Sequence, residues 1–316
     1  MKLTPIVPFE PIRSDEIPEG SEWIAQVKWD GVRVLTYYDG DEVKLFNRRL
    51  NERTFHYPEL TEISAYCSAK SAILDGEIIA LKNGKPSFYE IMKRDGIKNL
   101  NNIKSVQRRV PITYMIFDII YLNNQWVTSY PLSERQKMLT EMITPNDEVQ
   151  LVTNFADGKK LFEAIKLHNL EGVVFKDLTS TYTINGKDGR WMKKKYYRDL
   201  IAVVGGVTRR DATVNSLLLG LYDQEGRLWY IGHAGTGKLT QKDWQDISAG
   251  IKPLIQETMP FANKPERSKG AVWLKPELTV KVTFAEWVDG HTLRQPSIQA
   301  FVKVPPHECL LPVVSS

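Results

Sequence analysis

A candidate nucleophile, Lys28, stands in the string Lys28-Trp29-Asp30-Gly31-Val32-Arg33, at the end of a predicted strand and the start of a turn. A lysine amine attacks an electrophile only when it is neutral, and about 0.1% of free lysine is deprotonated near pH 7. Neighbouring cations can lower its pKa and raise that fraction. By composition alone a K-x-D-G string occurs in about one chain in twenty of this length, so an ordinary surface lysine is the simpler interpretation of this motif taken alone.

Further polar groups follow Lys28 in a fixed order, most of them within or at the end of an apolar segment. They are Arg48 in NRRLN, Asp75 and Glu77 in ILDGEII, Phe117 and Asp118 in YMIFDIIY, Glu171 and Lys176 in EGVVFK, and Lys193 to Lys195 in WMKKK. A charge in apolar surroundings is costly unless it is paired or functional. The series therefore strengthens the interpretation of Lys28 as part of a site.

The charged members of this series suit a site that holds phosphate. Glu77 and Glu171 offer hard oxygen ligands of the kind that Mg²⁺ takes beside phosphates and water. Strand alternation puts Lys193 and Lys195 on one face, where they can offset phosphate charge. Lys194 lies on the other face, where solvent or DNA would be its contact.

Some of these residues also have a structural interpretation. Phe117 lies in a uniformly apolar run and, taken alone, favours the core. Asp75 is equally open to pairing with a neighbouring cation. The string from Gly232 to Lys238 nearly matches a P-loop, but Leu239 stands where a Ser or Thr is required, so a turn is favoured.

The elements that position these residues follow from the hydrophobic pattern. Strands are predicted over 22–28, 32–38, 42–48, 72–81, 112–121, 172–176 and 190–195, and helices over 57–69, 133–143 and 157–168, with Asp157 as an N-cap. After about residue 200 short strands dominate, at 200–207, 216–223, 228–233 and 278–287, with one helix near 240–257. This texture predicts a small β-barrel and a domain boundary near 197–201.

Composition and charge exclude some classes of protein. The chain is 42% hydrophobic and 25% charged, and no apolar run reaches the roughly 18 residues of a membrane span. Cys67 and Cys309 lie far apart and the N-terminus lacks a signal peptide, so we expect a cytoplasmic protein with no membrane partner and no structural zinc. The net charge is +4, but residues 176–210 carry nine basic and three acidic side chains, which suits phosphate contact or simply a solvated face.

Together, the motifs resemble the nucleotidyltransferase motifs of the ATP-dependent DNA ligases, and in texture the stand-alone ligase domain of the bacterial end-joining ligases. The resemblance is dense from about residue 20 to 200 and continues to about 300 through SLLLGLYD, YIGHAGTG and WLKPELTVKVTFAEW. It implies an α+β fold, with a nucleotidyltransferase (adenylation) domain over 1–198 followed by an OB-fold β-barrel domain over 199–316. A cleft between the domains and a hinge near 196–201 would accompany this fold.

The resemblance also implies roles. Lys28 would attack ATP and carry AMP as a lysyl-phosphoramidate. The cofactor-binding residues would be Gln26 at the adenine edge, Phe117 stacked on adenine, Arg33 and Arg48 on sugar and phosphate, Glu77 near the ribose, and Lys193 and Lys195. Glu171, with Glu77, would form the metal site for Mg²⁺, with Mn²⁺ as an alternative.

The implied substrate is nicked duplex DNA in repair, held by a monomer, with a Ku-type end-binding protein as a possible partner. Relatives that use NAD place a whole domain before the lysine and a four-cysteine zinc module after it. Only 27 residues precede Lys28 here, so ATP is expected. The alternatives are an RNA ligase or capping-type nucleotidyltransferase, and a non-catalytic nick-binding protein.

One family motif is absent. The string R-x-D-K, which usually ends the barrel domain and orients pyrophosphate, is not found in Leu293–Val304, where the sequence reads LRQPSIQAFVKV. Arg294 and Lys303 are the candidates to replace it. We therefore expect adenylation from ATP to be slower than sealing by the adenylated enzyme.

Overall fold

The computed structural model describes residues 3–211, 213–235, 237–288 and 292–312. The chain divides into two compact units, Met1–Tyr196 and Tyr197–Ser316. Each unit has its own hydrophobic core. The first unit mixes helices and strands, whereas the second is mostly strand with one α-helix.

The first unit contains twelve strands and four α-helices among its described residues. The strands are β1 (Glu10–Arg13), β2 (Trp23–Val27), β3 (Val32–Tyr38), β4 (Val43–Asn47), β5 (Ala72–Ile79), β6 (Leu81–Lys82), β7 (Lys85–Pro86), β8 (Thr113–Leu122), β9 (Gln125–Trp126), β10 (Val149–Leu151), β11 (Gly172–Asp177) and β12 (Lys187–Lys195). The helices are α1 (Phe88–Asp95), α2 (Ile103–Arg109), α3 (Leu132–Met142) and α4 (Gly158–His168).

Two sheets organise the first unit. One has the order β1-β12-β11-β2, and the other has the order β10-β8-β5-β3-β4, with β9 on β8. Side chains alternate across a strand, so in β3 and β5 the even positions Val34, Leu74 and Ile78 enter the main core. The odd positions, which include Arg33, Asp75 and Glu77, share the opposite face, and this alternation gathers the charged groups on one side of the sheet.

The segment 57–69 was predicted as one helix, and this prediction is wrong. Three short 3₁₀ helices stand there or just before it, Thr54–His56, Pro58–Thr61 and Ile63–Ala65. Tyr57, Leu60, Ile63 and Tyr66 are all buried at a spacing of three. Three residues per turn is the 3₁₀ period, whereas an α-helix would bury positions three and four apart.

The other predicted elements of this unit are confirmed, with boundary shifts of up to three residues. Asp157 caps α4 as expected, since its side chain accepts from the backbone N–H of Lys160 at 2.9 Å. Helices α1 and α2 and strands β1 and β10 were not predicted. They are short, and strand β1 and helix α2 bury no residue completely, so the hydrophobic pattern carries little signal there.

The second unit is a small β-barrel. Its described strands are β13 (Arg198–Arg210), β14 (Thr213–Tyr222), β15 (Leu228–Ala234), β16 (Ile255–Gln256), β17 (Val272–Phe284), β18 (Glu286–Val288), β19 (Thr292–Arg294) and β20 (Ser297–Val302), with helix α5 (Gln241–Gly250). The sheet order is β15-β14-β13-β17, with β16 and β20 both on β17. A bridge between Gly237 and Ile298 joins the segment after β15 to β20, which brings the two ends of the sheet together.

The P-loop-like string lies in this barrel closure. Gly232 and His233 belong to β15, and the backbone N–H of Lys238 donates to the carbonyl of Ile298 at 2.8 Å. Thr236 lies outside the described residues. The described part is therefore strand and barrel turn, as the sequence favoured.

Candidate functional site

The candidate nucleophile and its carboxylate lie on neighbouring strands. Lys28 directly follows β2, and its backbone N–H donates to the carbonyl of Gly172 at 2.9 Å. Glu171 directly precedes β11, which pairs with β2 on one side and β12 on the other. The register sets Gly172 opposite Lys195. Lys28, Glu171 and Lys195 are thus brought to the same end of one sheet.

Tight backbone packing explains the glycine of the K-W-D-G string. A Cβ at Gly31 would lie 2.1 Å from the carbonyl oxygen of Ile78 in β5. Only glycine therefore lets the turn after Lys28 approach the strand that carries Glu77. Gly31 thus has a structural role in the motif, beside the chemical role predicted for Lys28.

Glu171 bridges two lysines. Its Oε2 lies 2.6 Å from Nζ of Lys28, and its Oε1 lies 2.8 Å from Nζ of Lys195. The Glu171 side chain is 10% exposed, and the two lysine side chains are 22% and 23% exposed. A charged hydrogen bond in such a half-buried place is shorter and stronger than a neutral one.

The charges of this cluster shift its pKa values. Burial alone would raise the pKa of Glu171, but the ammonium groups of Lys28 and Lys195 hold it below its usual range. Burial lowers the pKa of Lys28, yet Glu171 and then Glu77 outweigh this and raise it. The expected lowering by neighbouring cations is therefore wrong, because the carboxylates of Glu171 and Glu77 favour the ammonium form of Lys28.

Lys193 and Lys194 differ as strand alternation predicts. The pKa of Lys193 is lowered by burial and next by the charge of Lys28. Lys194 instead bonds the carbonyl of Asp15, and its Nζ lies 5.2 Å from the ring centroid of Phe162. The expectation of a solvent or DNA contact at Lys194 is corrected to a contact within the first unit.

The second sheet places a buried ion pair beside this cluster. Arg33 donates to both oxygens of Asp75, from Nε at 2.8 Å and from Nη2 at 2.6 Å. Its Nη1 donates to the carbonyl of Phe9, and the hydroxyl of Tyr182 donates to Asp75. Asp75, for which the sequence left two roles open, is thus bound within the fold, and three N–H groups of Arg33 are already used.

Glu77 lies opposite Arg33 in the pairing of β3 with β5, whereas Arg48 pairs elsewhere. Glu77 is half-buried, and burial raises its pKa to about 8 against the opposing charges of Lys28 and Arg33. Arg48 is 52% exposed and pairs with Glu10 at 3.1 Å. Among the residues that the structure describes, no group of three or more His, Cys, Asp or Glu is arranged around a metal position.

Phe117 belongs to an aromatic and cationic cluster. Its ring packs edge-on against Trp191 with centroids 6.1 Å apart, and Arg33 lies 5.3 Å from its centroid. Nζ of Lys176 lies 4.1 Å from the Phe117 centroid and 4.0 Å from that of Trp191. Lys176 is buried, which lowers its pKa to about 7. It was counted with the basic cluster suited to phosphate, and its burial corrects that interpretation.

Gln26 is buried in β2, and its Nε2 donates to Oδ1 of Asn154 at 2.6 Å. Sequence reasoning missed Asn154 and Glu10 because each contacts the site residues only through the tertiary fold. In the second unit Arg294 pairs with Glu286 at 2.8 Å, while Lys303 is exposed.

A lysine held by a carboxylate at a strand end, in an α+β unit followed by a β-barrel, defines a nucleotidyltransferase. Comparison with known families makes this specific. Residues 12–195 match the ATP dependent DNA ligase domain, and residues 210–303 match the ATP dependent DNA ligase C terminal region. The chain therefore belongs to the ATP-dependent DNA ligase family, and the predicted fold class is confirmed.

Individual relatives agree. The chain is 29% identical over 286 residues to the multifunctional non-homologous end joining protein LigD of Mycolicibacterium smegmatis, covering 88% of this chain and 36% of that protein. It is 28% identical to a DNA ligase of Methanosphaera stadtmanae, covering 95% of this chain and 56% of the relative. The chain thus spans between a third and just over half of the length of these curated relatives.

Solved structures give the same result. The crystal structure of the ligase domain from M. tuberculosis LigD matches with a TM-score of 0.53 and 25% identity, covering 97% of this chain and 98% of that one. A mycobacterial DNA ligase D complexed with ATP and MES matches with a TM-score of 0.52 at 25% identity. Separately, none of the described helices combines the length and apolar character needed to cross a bilayer.

Proposed function

We propose that this chain is an ATP-dependent DNA ligase that seals nicks between a 5′-phosphate and a 3′-hydroxyl through AMP carried on Lys28. The observation that carries the proposal is the contact of Lys28 with Glu171, 2.6 Å long, at a strand end of a chain that belongs to this family. Lys195 on the other oxygen completes a lysine–carboxylate–lysine arrangement. Such an arrangement can hold a phosphate between cations beside a nucleophile.

The first step is the attack of Nζ of Lys28 on the α-phosphorus of ATP. A P–N bond forms, the bond to the bridging oxygen of the β-phosphate breaks, and pyrophosphate leaves. Lys28, which is 22% exposed, must first lose a proton to solvent, and Glu171 opposes this loss by raising the lysine pKa. Lys193 and Lys195 would stabilise the negative charge that develops on the phosphate oxygens.

Divalent metal fits the carboxylates of this site. Mg²⁺ is held in proteins by one or two carboxylates together with substrate phosphates and water, and Glu171 and Glu77 both act on the charge of Lys28. When bound, the metal would neutralise carboxylate and phosphate charge, so that Glu171 no longer raises the pKa of Lys28. Mn²⁺ has the same ligand preferences and is the alternative.

The base and sugar would be held by the neighbouring sheet. Phe117 is half-buried and offers a ring for stacking on adenine, while Gln26 offers an amide to its edge. Arg33 is fixed by Asp75 and would contact sugar or phosphate with its remaining N–H groups. Arg48 would have to exchange Glu10 for such a contact.

Two further transfers complete the reaction. A 5′-phosphate oxygen of DNA attacks the phosphorus of lysyl-AMP, and the amine of Lys28 leaves. The 3′-hydroxyl then attacks the 5′-phosphate and AMP leaves. Contacts to the duplex would be mostly to phosphates and therefore independent of sequence and weakened by salt. A repair setting in the cytoplasm, as a monomer with or without a Ku-type partner, is part of the same proposal.

The test is nick sealing on a 5′-phosphorylated duplex with ATP and Mg²⁺, resolved on a denaturing gel. We expect wild type and the exposed-lysine control Lys137→Ala to seal, and Lys28→Ala to leave the nick open. Lys28→Ala should still join a nick that already carries a 5′-adenylate, because that step does not use the lysine.

Other outcomes would separate the alternatives. Joining of RNA strands in preference to DNA would favour the RNA ligase or capping-type interpretation. Binding to the nick without any adenylate on the protein, with either ATP or NAD, would favour a non-catalytic nick-binding protein and contradict the proposal.

A further inference from the structure

A chain of side-chain amides connects the proposed stacking residue to the proposed base-edge residue. Nε2 of Gln136 donates to the carbonyl of Phe117 at 2.9 Å, and Nδ2 of Asn154 donates to Oε1 of Gln136 at 2.9 Å. Nε2 of Gln26 then donates to Oδ1 of Asn154 at 2.6 Å. We call Gln136, Asn154 and Gln26 the amide relay.

The relay starts at a bulge in β8. The pairing of β5 with β8 steps from Asp118 to Ile116, so Phe117 has no partner across the ladder. A bulged residue is left unpaired, and its groups are available to other partners. The Phe117 carbonyl takes the amide of Gln136, which projects from α3.

Backbone hydrogen bonds fix the chain on both sides of Asn154, the middle residue of the relay. The N–H of Val152 donates to the carbonyl of Ile116 at 2.9 Å, and Phe155 exchanges two backbone hydrogen bonds with Ala25 in β2. Asn154 therefore lies in a segment that passes from one sheet to the other, next to the strand that carries Gln26. Its side chain is exposed, so it can be replaced without opening a cavity in the core.

The direction of the relay is determined from its first member. A carbonyl oxygen only accepts, so Gln136 must turn its amino group to Phe117 and its oxygen to Asn154. Asn154 must then give its amino group to Gln136 and its oxygen to Gln26. Gln26 consequently donates to Asn154 and keeps Oε1 as an acceptor, which has no hydrogen-bond donor among the described residues.

We infer that Asn154 and Gln136 are positioning residues that make the site selective for a 6-aminopurine nucleotide, by fixing Gln26 with its oxygen toward the base edge. This inference rests on the proposed function. The adenine amino group donates to an acceptor, whereas the 6-oxo group of hypoxanthine or guanine would face oxygen against oxygen. A site built around one hydrogen-bond polarity rejects the opposite one because buried polar groups are left unpaired.

The experiment measures formation of the covalent enzyme–nucleotide by the full chain with Mg²⁺, using ATP and ITP separately. The readout is the ratio of kcat/KM for ATP to that for ITP, since an effect common to both nucleotides cancels. We expect wild type to prefer ATP by more than about tenfold, and Asn154→Leu, which lets Gln26 turn, to reduce the ratio by about tenfold.

Two conservative variants test the polarity itself. Asn154→Asp still accepts from Gln26 and should keep the ratio within about threefold of wild type. Gln136→Met removes the group that orients Asn154 and should lower the ratio. The double variant Gln136→Met/Asn154→Asp should restore the ratio. Both oxygens of a carboxylate accept hydrogen bonds, so Asp at position 154 accepts from Gln26 whichever way it is turned. Loss of packing alone would not be rescued in this way.

The outcomes are distinguishable. An unchanged ratio in Asn154→Leu and Gln136→Met, or a wild type that uses ITP as well as ATP, would overturn the relay and leave the proposed function standing. A wild type that forms no covalent nucleotide with either substrate would overturn the proposed function itself, and the inference with it.

Discussion

Nζ of Lys28 lies 2.6 Å from Oε2 of Glu171, whose other oxygen lies 2.8 Å from Nζ of Lys195. One carboxylate thus pairs with two ammonium groups, and the sheet register holds all three together. The pKa of Lys28 is raised and that of Glu171 is lowered. The carboxylates of Glu171 and Glu77 therefore favour the unreactive, protonated form of the proposed nucleophile.

The Glu171→Gln variant should separate the effect of Glu171 on the Lys28 pKa from its effect on the maximal rate of adenylation. Removal of the carboxylate takes away the largest group that raises the Lys28 pKa in the free enzyme, so the acidic limb of kcat/KM for adenylation, measured at limiting ATP, should move to lower pH. The maximal rate should nevertheless fall by about a hundredfold, because Glu171 is the proposed metal-site residue. Adenylation rates at limiting and at saturating ATP between pH 6 and 11, a range that includes the ordinary lysine pKa of about 10.4, measure both effects.

The matched control is Glu163→Gln, on the exposed face of α4, which pairs only with Lys166. It should leave rate and pH profile as in wild type. A Glu171→Gln profile with an unmoved acidic limb would show that Lys28 is not the group titrating in that limb.

The neighbours Lys195 and Lys194 offer a test within one strand. Lys195→Met removes a cation from Glu171, which increases the negative charge at Lys28 and removes a proposed phosphate contact. We expect adenylation to fall by about a hundredfold. Lys194→Met changes only the opposite strand face, at Phe162, and should reduce adenylation less than about threefold. Equal losses in both variants would contradict the assignment of the two faces.

Much of the site was predictable because strand alternation and chemical type act locally. The period of two placed Lys193 and Lys195 on one face, and the K-W-D-G string located Lys28, the proposed nucleophile, at a strand end. The sign of the Lys28 pKa shift was not predictable, because it depends on the 2.6 Å approach of Glu171, a residue 143 positions away in sequence.

Residues that support the site through the fold were missed for the same reason. Asn154 lies in a loop with no pattern of its own, and Glu10 comes from a strand that buries none of its residues. Lys176 was counted, from its charge, in a basic cluster suited to phosphate contact or to a solvated face, whereas it is buried and contacts two aromatic rings. In the segment 57–69 the large buried residues lie three positions apart in the sequence. This spacing was visible in the sequence, and it indicates 3₁₀ rather than α structure.

Glu77 should make the stability of the unliganded protein depend on pH. Its pKa is raised from about 4.3 in the unfolded chain to about 8 in the fold, with burial as the largest cause. Between these values the folded state binds more protons than the unfolded state, so wild type loses stability as pH rises from 5 to 8.5. Glu77→Gln avoids this loss, because an amide does not ionise.

Thermal melts in EDTA measure this effect. The Tm of Glu77→Gln minus that of wild type should increase by several degrees from pH 5 to pH 8.5. A pKa difference of this size corresponds to at most about 4 kcal/mol over this pH range, and each kcal/mol to about 2–4 °C. The exposed Glu134→Gln on α3 should show no such trend. A difference that stays constant or decreases with pH would show that Glu77 is ionised in the fold. The same variant should lose adenylation activity if Glu77 holds metal and ribose as proposed.

The absence of the terminal R-x-D-K string predicts which chemical step is slow. Without that motif, pyrophosphate is oriented less well during attack by Lys28, whereas the later steps do not involve pyrophosphate. We expect single-turnover adenylation from ATP to be about tenfold slower than sealing by pre-adenylated enzyme, an increase of about 1.4 kcal/mol in barrier. Rapid-quench measurements of the two reactions on the same preparation compare them directly, and adenylation as fast as sealing would contradict the prediction.

Lys303 and Arg294 can then be compared as substitutes for the missing string. Arg294 already pairs with Glu286 at 2.8 Å, while Lys303 is exposed, so Lys303 can take a ligand without disrupting that ion pair. We therefore expect Lys303→Met to slow adenylation a further tenfold and to leave sealing by pre-adenylated enzyme unchanged. The Arg294→Met variant should change adenylation less. The reverse order of the two variants would assign the role to Arg294, and no effect of either would mean that neither residue replaces the motif.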